Sequence, residues 1–221
     1  ARYQHIRDLL RIVKAELRGE LPVLGFAGAP FTVATYSIGT GKDMDATRRF
    51  AAEQPEVWNA LLERLTRATI GFLQTLIAEG ADLYQLFDSW AGMLTEAEYN
   101  RWAQPYHQRI FAGAPGVPRI LFVKESPYLS RLCSSGADII SLGRCHDLAQ
   151  ARAQYPHLVF QGNVDEEILL HGTPEDVVRA TRECLAAGGG HRHIVNLNHG
   201  VDRNTPVANF EAFVRTVKEQ A

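Results

Sequence analysis

The sequence has few cysteines, no long apolar run and almost no excess charge. Its three cysteines are spaced far apart, which fits reduced thiols better than a disulfide framework. No apolar stretch approaches the ~18 residues of a membrane span, and the charged start, "ARYQHIRDLLRIVKAELRGE", is unlike a signal peptide. A net charge of −2 gives no electrostatic reason to expect nucleic acid as a partner. We therefore expect a cytoplasmic globular protein with neither a nucleic-acid nor a membrane partner.

Linkers, internal repeats and low-complexity tracts are also missing from the sequence, so we predict a single domain over residues 1–221. Short apolar runs rich in Val, Ile, Leu and Phe alternate with helical patterns, which is typical of βα units around a parallel sheet. The predicted strands cover residues 22–28, 81–88, 119–124, 137–143, 158–164 and 193–199.

Capping residues mark several of the helices between these strands. Thr95 begins the capping-box sequence "TEAE", and "TPED" and "TPVA" place Thr173 and Thr205 before a proline at the first helical position. "AAGGGHRH" ends a helix with glycine just before the last predicted strand.

The number of units favours one α/β architecture over another. Six strand-plus-helix units follow a leading helix at about residues 2–18 that has no strand before it. A closed (β/α)₈ barrel needs eight strands, whereas an open doubly wound sheet holds six. We predict a barrel whose first two strands are missing from this chain, and the periodicity ranks it only slightly ahead of the open sheet.

The stretch "LGFAGAPFTVATYSIG", residues 24–39, joins the first predicted strand to a helix. Its glycines do not match the G-x-G-x-x-G dinucleotide motif, and no Gly-Lys-Ser/Thr closes a P-loop. Pro30 removes an N–H group where a phosphate cradle would need a donor. The alternative to a phosphate-binding loop is a tight turn in which the glycines allow close packing.

Polar and aromatic side chains recur where predicted strands end, which is where ligands gather in both architectures. If the ends meet, a hydroxyl, a phenol, an imidazole and aromatic walls form a pocket for a large flat ligand. The residues concerned are Tyr36, Phe87, Asp88, Ser89, Lys124 and His199. Each has a simpler alternative: Asp88 as a helix cap, Lys124 as a solvated strand end, His199 as a hydrogen-bonded loop residue.

Metal and hydrolase motifs are not found in the sequence. The cysteines form no C-x-x-C pair, and "HRH" at residues 191–193 lacks partners for a zinc site. No G-x-S-x-G elbow occurs either. We expect no metal ion.

Five long motifs, in order and spacing, resemble the uroporphyrinogen decarboxylase family. They are "LPVLGFAGAPFTVATYSI", "YQLFDSWAGMLTEAEYNRWAQPYHQRI", "LFVK", "FQGNVD" and "NLNHG". The resemblance runs the whole length of the chain. It implies a single-domain (β/α)₈ barrel, a homodimer, and removal of the four acetate carboxyl groups of uroporphyrinogen to give coproporphyrinogen in haem biosynthesis, without metal or organic cofactor.

Four residues match the family's substrate-binding positions. By this resemblance Tyr36 is the phenol near the reacting acetate, Ser89 a substrate-contacting hydroxyl, Phe87 a wall and His199 a carboxylate-binding imidazole. The family's catalytic aspartate and its arginine-rich "RQAGRY"-like motif belong to a part of the family's chain upstream of this one. We therefore expect no catalytic residue in this segment and an inactive isolated segment.

The chain departs from the family pattern at three places. Gly39 stands in place of a glutamate, Gly143 and Arg144 in place of Asp-Trp, and Glu166 in place of a proline. Two other functions therefore stay open. One is a relative of the cobamide-dependent methyltransferases, although "LFVKE" lacks that group's zinc-binding His-x-Cys. The other is a non-catalytic tetrapyrrole-binding relative.

Overall fold

The computed structural model describes residues 3–220, so residues 1, 2 and 221 of the predicted domain lie outside the described part. The chain divides into two compact units, residues 3–123 with 130–138, and residues 124–129 with 139–220. We call them unit 1 and unit 2. A single domain over residues 1–221 stays a prediction.

Unit 1 holds the first three strands and most of the helices. Its elements are α1 (Gln4–Leu17), β1 (Leu24–Gly28), α2 (Pro30–Ser37), α3 (Met44–Glu53), α4 (Pro55–Ala78), β2 (Leu83–Phe87), a 3₁₀ turn (Ala91–Met93), α5 (Glu96–Trp102), α6 (Gln104–Gly113) and β3 (Arg119–Phe122). The next helix, α7 (Leu129–Cys133), belongs to unit 1 from its second residue.

Unit 2 holds three shorter strands and their helices. They are β4 (Ile139–Ser141), α8 (Leu148–Gln154), β5 (Val159–Gln161), α9 (Glu166–His171), α10 (Pro174–Gly188), β6 (His193–Ile194) and α11 (Val207–Gln220).

Neighbouring strands pair in parallel within each unit. In unit 1, β1 pairs with β2 from Leu24 opposite Leu83 to Gly28 opposite Phe87, and β2 pairs with β3. In unit 2, β5 pairs with both β4 and β6. Parallel strands connected through helices confirm the predicted α/β class.

The core of unit 1 is aromatic and lies beside α2 and α4. Phe31 is fully buried, its ring stacked on Trp102 and edge-on to Trp58 at centroid distances of 6.4 and 6.0 Å. In unit 2 the core is aliphatic around Phe160, with Leu169 and Val177 fully buried. Aromatic side chains bury the most area per residue, so the cluster around Phe31 contributes strongly to the hydrophobic stabilisation of unit 1.

All six predicted strands are present, and each is shorter than predicted. The largest difference is at β6, because its ladder with β5 ends at Ile194 and only an isolated bridge, Val164 with Leu197, continues it. An apolar run indicates burial, whereas a strand is defined by continuous hydrogen bonds to its neighbour. The predicted strands were therefore too long, because buried residues continue beyond the paired ones.

The predicted caps are confirmed at three helix ends and shifted at a fourth. Thr95 and Thr173 each form a complete capping box, and Gly189, with φ +63°, ends α10. The prediction at Thr205 is wrong by one residue, because α11 begins at Val207 rather than at Pro206. Between residues 3 and 220, no helix combines the length and apolarity that crossing a bilayer requires.

Candidate active site

The junction of β1 and α2 is a tight turn held against β2. Ala29, the N-cap of α2, donates its backbone N–H to the Phe87 carbonyl at 2.7 Å. A Cβ atom on Gly28 would lie 2.6 Å from the Val33 side chain, so only glycine lets the first turn of α2 come this close. This geometry supports the tight-turn interpretation of the junction.

Tyr36 lies on the last turn of α2 and presents its phenol to solvent. Its side chain is exposed, and the neighbouring aromatic ring is that of Trp90, at a centroid distance of 6.2 Å. The chain turns away directly afterwards, because Gly39 adopts φ +81° and donates its N–H to the Tyr36 carbonyl. Glycine adopts this left-handed conformation without strain, so the departure from the family glutamate at Gly39 shapes the turn after Tyr36.

Phe87 and Ser89 stand at the carboxyl end of β2. The half-buried Phe87 ring packs against Phe26 and Phe122 at centroid distances of 6.0 and 5.3 Å, which makes an aromatic wall across three strands. Ser89 is half-buried one residue beyond Asp88. The structure therefore gathers Tyr36, Phe87 and Ser89 around the α2 and β2 ends of unit 1.

A buried polar network lies directly behind this strand end. Asp88 is fully buried, and its Oδ1 accepts hydrogen bonds from Thr32 N at 3.0 Å and Thr32 Oγ1 at 2.6 Å. Its Oδ2 lies 2.7 Å from Nε2 of His107, which is also fully buried. The other ring nitrogen of His107, Nδ1, lies 3.4 Å from the Tyr99 hydroxyl.

The alternative that Asp88 caps the helix that follows it is wrong. The carboxylate does not cap the 3₁₀ turn that follows it but satisfies the first turn of α2, an element that precedes β2 in the chain. Sequence reasoning missed His107 and Thr32 altogether. The available signal was His107 beside the apolar residues Ile110 and Phe111 of α6, because a buried histidine needs a polar partner.

His199 lies in unit 2, five residues beyond β6, and is half-buried. Its neighbour Asn198 is fully buried and fixes this loop. Asn198 Nδ2 donates to Glu125 Oε1 at 2.9 Å, and Asn198 Oδ1 accepts from the Glu166 N–H at 2.9 Å. The loop before His199 is therefore tied to two other strand-end loops of unit 2.

The departure at Gly143 makes room for another carboxylate. A Cβ atom there would lie 3.0 Å from the Cα, Cδ and Oε2 atoms of Glu125. The Glu125 carboxylate accepts the backbone N–H groups of Arg144 and Cys145 at 3.1 and 3.3 Å. Glu125 has φ +46°, a conformation that non-glycine residues rarely adopt. The aspartate lost at residue 143 is thus offset by an acidic side chain from a neighbouring loop.

The cysteines remain thiols, and no metal cluster is formed by residues 3–220. No group of three His, Cys, Asp or Glu side chains in that range could hold a metal ion. Cys133, Cys145 and Cys184 are all free. Burial raises the pKa of the Cys133 thiol to about 12 and that of Cys184 above its usual value, so both stay protonated at neutral pH.

Comparison with known proteins places the chain beside one family. The profile of the uroporphyrinogen decarboxylase (URO-D) family matches residues 1–220. A uroporphyrinogen decarboxylase of Synechococcus sp. (strain JA-3-3Ab) is 37% identical over an alignment covering 98% of this chain and 61% of that protein. Another, from Trichodesmium erythraeum, is 36% identical, with 97% of this chain and 62% of that protein covered. The chain thus spans less than two thirds of the length of these curated relatives.

Solved structures show the same fold at lower identity. A methyltransferase from Methanosarcina mazei superposes with a TM-score of 0.82 and 18% identity, over 97% of this chain and 64% of that one. A B12-independent methionine synthase from Shewanella sp. W3-18-1 gives a TM-score of 0.66 and 14% identity, over 97% of this chain and 67% of that one. At these identities the likeness concerns the fold alone.

Proposed function

Because the chain belongs to the uroporphyrinogen decarboxylase family, we propose that its protein removes the four acetate carboxyl groups of uroporphyrinogen to give coproporphyrinogen. The observation that carries this proposal is the exposed phenol of Tyr36, which lies beside the carboxyl end of β2. That strand end also provides the Ser89 hydroxyl and the Phe87 ring. A flat tetrapyrrole with carboxylate arms matches such a surface, because aromatic walls take the ring and hydroxyl donors take the carboxylates.

The chemistry of decarboxylation defines what these side chains have to do. When CO₂ leaves, the electron pair of the broken C–C bond is delocalised from the acetate methylene carbon into a protonated pyrrole ring, and a proton then adds to that carbon to give the methyl group. Tyr36 and Ser89 then act as neutral donors that orient the carboxylates, and Phe87 packs against the macrocycle. In unit 2, His199 has the same proposed role, as a donor to a substrate carboxylate.

These residues orient the substrate, but they do not hold the protonated macrocycle. We assign no catalytic residue within residues 1–221, and the isolated chain is proposed to bind uroporphyrinogen without turning it over. Homodimer formation, a cytoplasmic location, a place in haem biosynthesis and the need for no cofactor follow only from family membership and are part of the same proposal.

Binding tests this proposal directly. Purified chain is titrated anaerobically with uroporphyrinogen or coproporphyrinogen, and binding is followed by calorimetry. We expect tighter binding of uroporphyrinogen, because coproporphyrinogen lacks the acetate groups. Losing one charge-assisted hydrogen bond in His199→Ala is expected to weaken binding about tenfold.

Matched variants control for indirect effects. The exposed His157 is altered in His157→Ala, which is expected to bind as the wild type does. Equal affinity for the two porphyrinogens, or an unchanged affinity in His199→Ala, would contradict the proposed site. Uroporphyrinogen binding that survives when the complete protein shows no turnover would favour a non-catalytic tetrapyrrole-binding protein.

A further inference from the structure

Thr32 forms an unusual link between two elements of unit 1. Its Oγ1 donates to Asp88 at 2.6 Å and accepts the backbone N–H of Trp90 at 3.0 Å. Its own backbone N–H donates to the same Asp88 oxygen at 3.0 Å. One side chain of α2 is therefore bonded to the residues immediately before and after Ser89.

The same link reaches Tyr36 along the helix. Tyr36 lies four residues after Thr32 in α2, so the two side chains project from the same face, one turn apart. A bond that fixes Thr32 to the residues on both sides of Ser89 consequently ties the helix turn that carries Tyr36 to the strand end that carries Ser89.

We propose that Thr32, Asp88 and His107 form a clamp that positions Tyr36 and Ser89 for substrate binding. This inference rests on the proposed function. Thr32 and Asp88 make the link, and His107 supports it from α6 by holding the second carboxylate oxygen at 2.7 Å. None of the three is assigned contact with substrate, so they act as positioning residues.

Other buried threonines form hydrogen bonds of a different kind from those of Thr32. Thr66, Thr181 and Thr216 each donate to the carbonyl four residues earlier in their own helix. Thr32 instead uses its hydroxyl between two elements. Burying the Asp88 carboxylate costs desolvation free energy that an apolar residue would avoid, so stability alone is a weak reason for an acid at this position.

The clamp is tested with a mild substitution in the 221-residue chain. Asp88→Ala would leave His107 buried without its partner and threaten folding, so the principal variant is Thr32→Val, which keeps the shape and removes the hydroxyl. Thr32→Ser restores the hydroxyl. Thr66→Val is the matched control, since it removes a buried hydroxyl that bonds only within α4.

Two readouts are measured at a temperature where every variant is folded. Amide hydrogen exchange is followed at Trp90 and its neighbours, and uroporphyrinogen affinity is measured by calorimetry. We expect Thr32→Val to speed exchange at Trp90 about tenfold and to weaken binding about tenfold. Thr32→Ser is expected to restore both, and Thr66→Val to change neither.

The outcomes separate this inference from the proposed function. In Thr32→Val, either wild-type affinity or wild-type exchange at Trp90 would overturn the clamp. So would equal effects of Thr32→Val and Thr66→Val. If the wild-type chain binds no uroporphyrinogen, the proposed binding fails, and exchange at Trp90 alone decides whether the clamp exists.

Discussion

Tyr36 shows how position on a helix leaves a polar group exposed to solvent. Its side chain is 61% exposed on the last turn of α2, with Trp90 beside its ring. An exposed phenol keeps its O–H available for a substrate carboxylate, whereas Tyr84, fully buried, donates its O–H to the Ala114 carbonyl at 3.1 Å. The two tyrosines of unit 1 thus differ in their surroundings, and the exposed one is the one proposed to meet substrate.

Tyr36→Phe is expected to lower kcat more than it raises KM, because the proposed hydroxyl acts on the reacting acetate. Turnover is measured in a chimera, defined as the residues that precede the matched region in the Synechococcus sp. (strain JA-3-3Ab) relative joined to residues 1–221. A loss of about tenfold to a hundredfold in kcat fits one misplaced or missing orienting group. Tyr155→Phe is the control. An equal change in kcat and KM would show that the hydroxyl only anchors the substrate.

His193 supplies a pH-dependent contribution to stability in unit 2. Its Nε2 is hydrogen-bonded to the Gly162 carbonyl beside the buried Cys184, and burial lowers the pKa of the imidazole below its ordinary value. In the unfolded chain the imidazole binds a proton at a higher pH than in the folded chain. The stabilisation is therefore complete above about pH 6.5 and decreases as the pH falls towards the folded pKa.

We expect the melting temperature of the wild type to fall more between pH 7.5 and pH 5.5 than that of His193→Gln, as measured by calorimetry. These pH limits span about one unit on either side of the ordinary imidazole pKa. The exposed His157 provides the control, and His157→Gln is expected to show the wild-type difference. The same pH dependence in His193→Gln would contradict the assignment to His193.

Two helices of unit 1 carry glycines whose substitution is expected to act in opposite directions. Gly71 is exposed within α4, and a Cβ atom there meets nothing within 4 Å. Gly71→Ala should stabilise the protein by about 1 kcal/mol through helix propensity. At Gly113, a Cβ atom would lie 2.8 Å from Ile70 Cδ1 and 3.1 Å from Cγ1 and Cγ2, so Gly113→Ala should cost about 1–3 kcal/mol. Urea denaturation measures both, and stabilisation by Gly113→Ala would refute the packing.

Gly143, in the loop after β4, lies against Glu125, which is 18 residues earlier in the chain. Gly143→Asp restores the family residue but places it 3.0 Å from Glu125 and adds a like charge, so we expect a loss of about 1–3 kcal/mol. Glu125→Gly should reduce that loss, because it removes two of the three close atoms and suits φ +46°. Gly200→Asp is the control, since a Cβ atom there meets nothing within 4 Å. Additive losses in a double-mutant cycle would exclude the coupling.

Elements were predictable where the signal is local. Apolar runs indicated all six strands. Thr95 and Thr173 predicted the starts of their helices, because a capping box depends on residues three positions apart. Strand ends were not predictable, because ladder hydrogen bonds depend on the neighbouring strand. The network around Asp88 joins residues from α2, α5 and α6, whose proximity is fixed only by tertiary packing.

At the scale of the whole molecule, residues with a proposed binding role occur in each unit. Tyr36, Phe87 and Ser89 belong to unit 1 and His199 to unit 2, and the chain spans 61% of the Synechococcus sp. (strain JA-3-3Ab) relative. The family is established by the match over residues 1–220, whereas the reaction depends on groups that we do not assign within this chain. The proposed activity is therefore a property of the complete protein.

Turnover of uroporphyrinogen by the chimera decides whether the chain forms part of a working decarboxylase. The products are separated by chromatography after anaerobic incubation and oxidation to the porphyrins. We expect successive loss of four carboxyl groups, ending at coproporphyrin, with no turnover by residues 1–221 alone. A folded chimera that leaves uroporphyrinogen unchanged, under conditions where the parent relative decarboxylates it, would refute the proposed activity.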